Sequence, residues 1–105
     1  MARYLLLYHG GSQPETEEAG KQVMAAWVAW FETLGAAVVD GGNPTAASKT
    51  IAPGGAVSDG AGASPATGYS VLSADSLDAA VALAQGCPHL KAGGTVVVYE
   101  TLELM

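Results

Sequence analysis

The sequence predicts one α+β domain in which two β-α-β units share a four-stranded antiparallel sheet, with both helices on one face. Four short apolar runs are each bounded by glycine or turn residues. Helical patterns fill the gaps between the first and second runs and between the third and fourth. The first and last runs are apolar at successive positions, as strands covered on both faces are. With 105 residues, the chain is long enough for a modest core and reads as one domain, residues 1–105.

Arg3-Tyr4-Leu5-Leu6-Leu7-Tyr8-His9 forms the first strand and stops at Gly10-Gly11. Alternation puts Leu5 and Leu7 on one side and Tyr4, Leu6 and Tyr8 on the other, so both faces are expected to be covered. Ser12-Gln13-Pro14-Glu15 has the form of a capping box, and Glu15, Glu17 and Glu18 place negative charge at the positive end of a helix dipole. The helix is expected to start between Pro14 and Thr16. Val23, Ala26, Trp27, Trp30, Phe31 and Leu34 then recur on one helical face, which Gly35 closes. Gly20 weakens the first turns by roughly 1 kcal/mol relative to alanine.

Ala36-Ala37-Val38-Val39-Asp40 is the second strand, ended by Gly41-Gly42-Asn43-Pro44. Residues 41–67 are mostly Gly, Ala, Ser, Thr and Pro, broken by short strand candidates at Lys49-Thr50-Ile51-Ala52 and around Ala56-Val57. A structureless loop of that length does not suit a compact domain, so a hairpin or mobile excursion is expected there. Gly68-Tyr69-Ser70-Val71-Leu72-Ser73 is the third main strand. Asp75 or Ser76 caps a second helix with Leu77, Ala80, Val81 and Ala84 on its buried face, and Gly86 and Pro88 end it. Gly93-Gly94 leads into the last and strongest strand, Thr95 to Leu102.

The resulting βαββαβ order is the ferredoxin-like arrangement. Strands one and four, the most continuously apolar, are expected at its centre. Two helices cover one face only, and Leu5, Leu6, Leu7, Val96, Val98 and Tyr99 do not all point the same way. A second copy packed face to face supplies the missing cover, which predicts a twofold homodimer with a barrel-like core between subunits.

Composition narrows the function classes. The formal charge is −6, and Arg3, Lys21, Lys49 and Lys91 are scattered, which excludes a phosphate-tracking nucleic-acid binder. The single cysteine, Cys87, forms no intrachain disulfide and no cysteine-based metal cluster, consistent with a reducing compartment. No signal-peptide pattern and no membrane-length apolar run is read, so the expected location is the cytoplasm.

Several segments together resemble the YCII-related family, within it the branch called DGPF-domain proteins. They are the tyrosine- and leucine-rich first strand, Met24-Ala25-Ala26-Trp27 through Leu34-Gly35, and Asp40-Gly41-Gly42-Asn43-Pro44. Asp59-Gly60, Gly68-Tyr69-Ser70-Val71-Leu72, Ser76-Leu77-Asp78-Ala79-Ala80 and Cys87-Pro88-His89-Leu90 continue the likeness over nearly the whole chain. The resemblance implies a dimeric α+β barrel with a pocket between sheet and helices, where some members carry a histidine and aspartate dyad. A few relatives are dehydrochlorinases or similar lyases, and some are encoded beside or fused to sigma-factor-like regulators. Aligned on Leu34-Gly35 and Gly41-Gly42-Asn43-Pro44, the dyad histidine falls near Met24, a side chain that transfers no proton. The Asp-Gly-Pro-Phe motif survives here as Asp59-Gly60-Ala61-Gly62.

The candidate acid-base groups are His89 and Asp40. His89, read as lying just past a helix C-terminus, is either a dipole-supported acid or base or a structural cap for an open carbonyl. Asp40 is either a general base raised in pKa by burial or a turn residue before Gly41-Gly42. Trp27, with Met24 one turn earlier, is the ligand-wall candidate on the first helix; His9 and Asp59 are candidate pocket-mouth residues. No spacing supports a metal site, no glycine pair has the form of a phosphate loop, and no cofactor is expected. The leading functional expectation is a homodimer that binds an apolar or mildly polar small molecule between the first helix and the sheet. The alternatives are a lyase or isomerase using Asp40 or His89 as base, and a regulatory protein-interaction module.

Overall fold

The computed structural model describes residues 2–104. Its elements are β1 (Ala2–Gly10), α1 (Glu17–Leu34), β2 (Val38–Asp40), β3 (Lys49–Ile51), β4 (Val57–Asp59), β5 (Ala66–Ala74), α2 (Leu77–Ala84), α3 (Pro88–Lys91) and β6 (Gly94–Glu100). Four strands make an antiparallel sheet in the order β2-β5-β1-β6, and β3 and β4 pair as a separate hairpin. The ferredoxin-like α+β architecture is as the sequence implies, and the β3-β4 pair lies within residues 41–67.

The order corrects the expectation that the first and last strands are central. β1 and β5 occupy the middle, and β6 is an edge strand. Each β-α-β unit leaves a one-strand gap that the other unit fills: β1 lies antiparallel between β5 and β6, and β5 lies between β1 and β2. Continuous apolarity reports what covers a strand's two faces; it does not report how many strands flank it.

Register assigns every side chain to a face. Tyr4, Leu6 and Tyr8 of β1 sit opposite Leu72, Ser70 and Gly68 of β5 and make the helix-facing side. Trp30, Ala74, Ala80, Ala84 and Cys87 complete this core. On the reverse side Leu5 and Leu7 lie between Val71 and Tyr69 on β5 and Tyr99 and Val97 on β6. That side is only half-covered within one chain, as expected where two helices cover one face only.

Helix boundaries shift for local reasons. Thr16, not Ser12, caps α1: its Oγ1 accepts from Ala19 N at 3.0 Å, and its carbonyl accepts from Gly20 N at 3.0 Å. Ser12 is engaged elsewhere, donating to Ala92 O through both its backbone N at 2.9 Å and its Oγ at 3.2 Å. Thr16→Ala should therefore lower stability by about 1 kcal/mol in a urea titration, while Glu15→Ala stays within a few tenths; equal losses would restore the capping box. At the other end Gly35 N donates to Phe31 O, and residues 35–37 form a 3-10 turn that shortens the second strand to β2.

On α2, Ser76 is the cap, and Ala80 and Ala84 are buried as expected. Leu77 and Val81 are not, remaining 41% and 38% exposed. The helix turns its alanines to the sheet, since their small side chains allow the closest approach, and leaves the two larger ones facing the outer edge of β6. His89 also differs from expectation. Pro88 at the first helical position starts a separate turn, α3, so His89 sits inside that short helix and not beyond the end of α2.

The molecule is a flat disc, 44 × 40 × 18 Å, with a radius of gyration of 15.2 Å. A compact chain of this length has about 13 Å. Its accessible surface, 7232 Å², is roughly a third above the ~5,400 Å² typical of a monomer of this mass. Among the described residues, no helix is long and apolar enough to cross a membrane.

Candidate functional site

Tyr8 is the centre of the most chemically organised part of the core. Its hydroxyl lies 2.7 Å from Ser70 Oγ, which lies 2.7 Å from Gly41 O. A carbonyl only accepts, so the Ser70 hydrogen is committed to Gly41 and Tyr8 donates to Ser70. Strand register makes this contact possible: Ser70 stands opposite Leu6, one diagonal step from Tyr8, and Gly68 opposite Tyr8 leaves space for its ring. The Cys87 thiol is buried against the same hydroxyl.

Aromatic side chains from α1 roof this chain of hydroxyls. Trp27 meets Tyr8 edge to face, with ring centroids 5.2 Å apart and planes at 79°. Phe31 and Trp30 lie 5.8 and 5.7 Å from Trp27, and Trp30 Nε1 donates to Leu83 O at 3.2 Å, anchoring α1 to α2. Phe31 also packs over Gly41. The amino-terminal half of α1 is looser. Val23 and Ala26, on the stripe expected to face the sheet, are exposed, and Trp27 is half-buried.

His89 reaches Tyr8 from the other end, ring centroids 5.5 Å apart. Its Nε2 is 2.9 Å from the carbonyl of His9 and must donate, which leaves the lone pair on Nδ1 in the neutral ring. Gly11 and Gly94 flank the imidazole so closely that a Cβ at either position would collide with it.

The other candidates are spread out. Asp40 is exposed, and its Oδ1 accepts from Gly42 N at 2.8 Å, an Asx turn next to the carbonyl that ends the hydroxyl chain. Met24 is 67% exposed, one turn before Trp27. His9 points to the reverse face of the sheet, where Nδ1 contacts Ser64 O at 3.1 Å and Pro65 O at 3.2 Å, tying the base of the hairpin to β1. Asp59 pairs with Lys49 across the hairpin in solvent. Thus Trp27 and His89 meet on Tyr8, Asp40 borders the group, and Met24, His9 and Asp59 stand apart. Among the described residues, no three His, Cys, Asp or Glu side chains converge as a metal site.

Sequence reading missed Tyr8 and Ser70 as polar members. The available signal was Ser70 itself, a hydroxyl at a position that alternates with Leu72 on a buried face. Tyr8, Ser70 and Cys87 carry no formal charge, so they suit a neutral or weakly acidic partner. Burial pushes the Tyr8 hydroxyl well above its ordinary value of 10 and the Cys87 thiol above 9. In the unfolded chain both acids ionise at their ordinary values; in the folded chain they hold their protons longer. Their contribution to stability is therefore complete below about pH 9 and declines as pH rises beyond it. Urea midpoints at pH 8, 9 and 10 should fall in that order, and a flat profile would show that neither group is held protonated.

A model of the YCII-related domain matches residues 2–104. No curated protein sequence matches the chain. Among solved structures, the chain is similar to 5-chloro-2-hydroxyhydroquinone dehydrochlorinase (TftG) from Burkholderia phenoliruptrix AC1100, in complex with 2,5-dihydroxybenzoquinone. The TM-score is 0.54 at 20% identity, covering 94% of each chain. That likeness is one of fold.

Proposed function

Because the chain belongs to the YCII-related domain family, we propose that it is one subunit of a homodimer that binds a small, uncharged or weakly acidic ring compound between α1 and the sheet, beside Tyr8. The observation that carries this reading is the loose half of α1. Val23 and Ala26 are exposed on the sheet-facing stripe, and Trp27 stands half-buried over a neutral group with one hydroxyl chain. An apolar wall beside a few fixed polar atoms is the combination that small-molecule sites use.

The assembly follows from the reverse face of the sheet. Leu5, Leu7, Tyr69, Val71, Val97 and Tyr99 form one contiguous apolar surface with no helix over it. Packing two such faces together buries about 800 Å² per partner in an ordinary interface, well within the excess surface of the lone subunit.

The probe for the site is 2,5-dihydroxybenzoquinone, the ring compound bound by the dehydrochlorinase of similar fold. Titration should quench tryptophan fluorescence, and Tyr8→Phe should weaken binding about tenfold through one lost hydrogen bond. Trp27→Ala should remove saturable binding, as read by calorimetry. Retention of wild-type affinity in both variants would overturn this location of the site.

A lyase is the second reading, favoured by the free Nδ1 lone pair of His89. In elimination of HCl from 5-chloro-2-hydroxyhydroquinone, that nitrogen would take the proton as chloride departs. Chloride release by the wild type and its loss in His89→Gln would support this reading; no release by the wild type would exclude it for that substrate.

A further inference from the structure

The hairpin of β3 and β4 is an arm without a core of its own. Three residue pairs hold it: Lys49 with Asp59, Thr50 with Ser58, and Ile51 with Val57. Pleating puts the ion pair and the Ile51-Val57 pair on one face and Thr50 and Ser58 on the other. The two apolar side chains are 71% and 60% exposed, and a two-stranded hairpin in water is marginal by itself. From Thr50 to Ser58 there is no charged side chain. The arm therefore presents an apolar, uncharged end that its own subunit does not cover.

At the far edge of the same sheet is a matching recess. Leu77 and Val81 of α2, Leu90 of α3, and Val96 and Val97 of β6 line a groove of about 420 Å³. Gln85 is the one side chain in its wall with a polar group, and no wall residue is charged. Beside the groove, the outer edge of β6 has no partner strand among the described residues. The arm connects β2 to β5 and so belongs to the β2 half of the four-stranded sheet, whereas the groove lies along β6 at the other edge. When two sheets stack face to face about a twofold axis parallel to their strands, the β2 edge of each copy lies over the β6 edge of the other.

We infer that the hairpin end of each copy, centred on Ile51 and Val57, docks into the α2-β6 groove of a second copy. The exchange is reciprocal, as twofold symmetry requires. It joins two uncharged surfaces in a chain of net charge −6, where approach through charged surfaces is opposed. It also accounts for the large surface and the radius of gyration of the single subunit. The inference rests on the homodimer proposed above but is separable from it, because the sheet faces contribute their own contact.

Two measurements on the full chain test it. In a mixture of Ala56→Cys and Gln85→Cys chains, a short bismaleimide should give covalent dimers containing one chain of each kind; the native Cys87 is buried and should not react. Sedimentation of Ile51→Asp/Val57→Asp should show the dimer weakened on the order of a hundredfold, with the far-UV circular dichroism of the wild type. If the wild type is a monomer, both the dimer and the arm exchange fail. If the wild type is a dimer, but no mixed crosslink forms and the double variant associates as tightly, the arm exchange alone is overturned.

Discussion

Leu7→Asp should convert the protein to monomers with the secondary structure of the wild type. Leu7 lies in the middle of the reverse face, directly between Tyr69 and Val97, and is half-buried within one chain. A carboxylate there keeps part of its hydration in the separate subunit, so the fold is expected to survive with a smaller loss than the dimer. In a face-to-face dimer the twofold axis brings two such charges into an apolar contact with no cation opposite. The cost is on the order of 4 kcal/mol, about a thousandfold in the dissociation constant. Sedimentation equilibrium at micromolar concentration reads this directly. A dimer of undiminished strength in Leu7→Asp would mean that the reverse face is not the interface.

The second large effect concerns stability. Gly42 has φ +75°, in the left-handed region, and a Cβ built there overlaps the carbonyl group of Tyr69. Neither side gives way easily: Tyr69 is held in β5, its N–H donating to Asn43 O at 3.3 Å, and Gly42 N is held by Asp40 Oδ1 at 2.8 Å. Gly42→Ala thus combines dihedral strain with a backbone collision. It should cost about 3 kcal/mol or more and lower Tm on the order of 15 °C by calorimetry. Asp40→Asn keeps the Asx turn and should change Tm by no more than a few degrees. A small shift in Gly42→Ala would mean that the β2 end relaxes independently of β5.

These two positions also mark what could be read from the chain alone. The element order was legible because each element carries its own local signal: the alternation in Arg3 to His9, the aromatic stripe from Trp27 to Leu34, and Ser76 as a cap. Leu7 was readable as a residue on the sheet face that the two crossover helices leave uncovered. Gly42 was readable as a turn glycine, but its proximity to Tyr69, 27 positions later, depends on sheet order. Order was misread for the last strand, because Val96 to Tyr99 look the same whether neighbours or faces hide them. The site suffered from a related blindness. Acid-base residues attract notice by type, and Asp40, His9 and Asp59 were named on that ground. The buried hydroxyl chain from Tyr8 to Ser70 arises from strand pairing across 62 residues, which no local pattern encodes.

The wedge of His89 between Gly11 and Gly94 has a consequence for the order of events during synthesis. His89 holds the His9 carbonyl, Ala92 holds Ser12, and Thr101 N donates to Arg3 O at 3.1 Å, so β1 and the loop after it are fastened by residues 89–101. Among the described elements β1 is made before the others, yet one of its two neighbours in the sheet, β6, is made after them. Contacts so distant in sequence make folding slow and late. The nascent chain must therefore carry the row Leu5, Leu6 and Leu7 with one strand edge open until β6 has been made, a period in which a holding chaperone has a defined target.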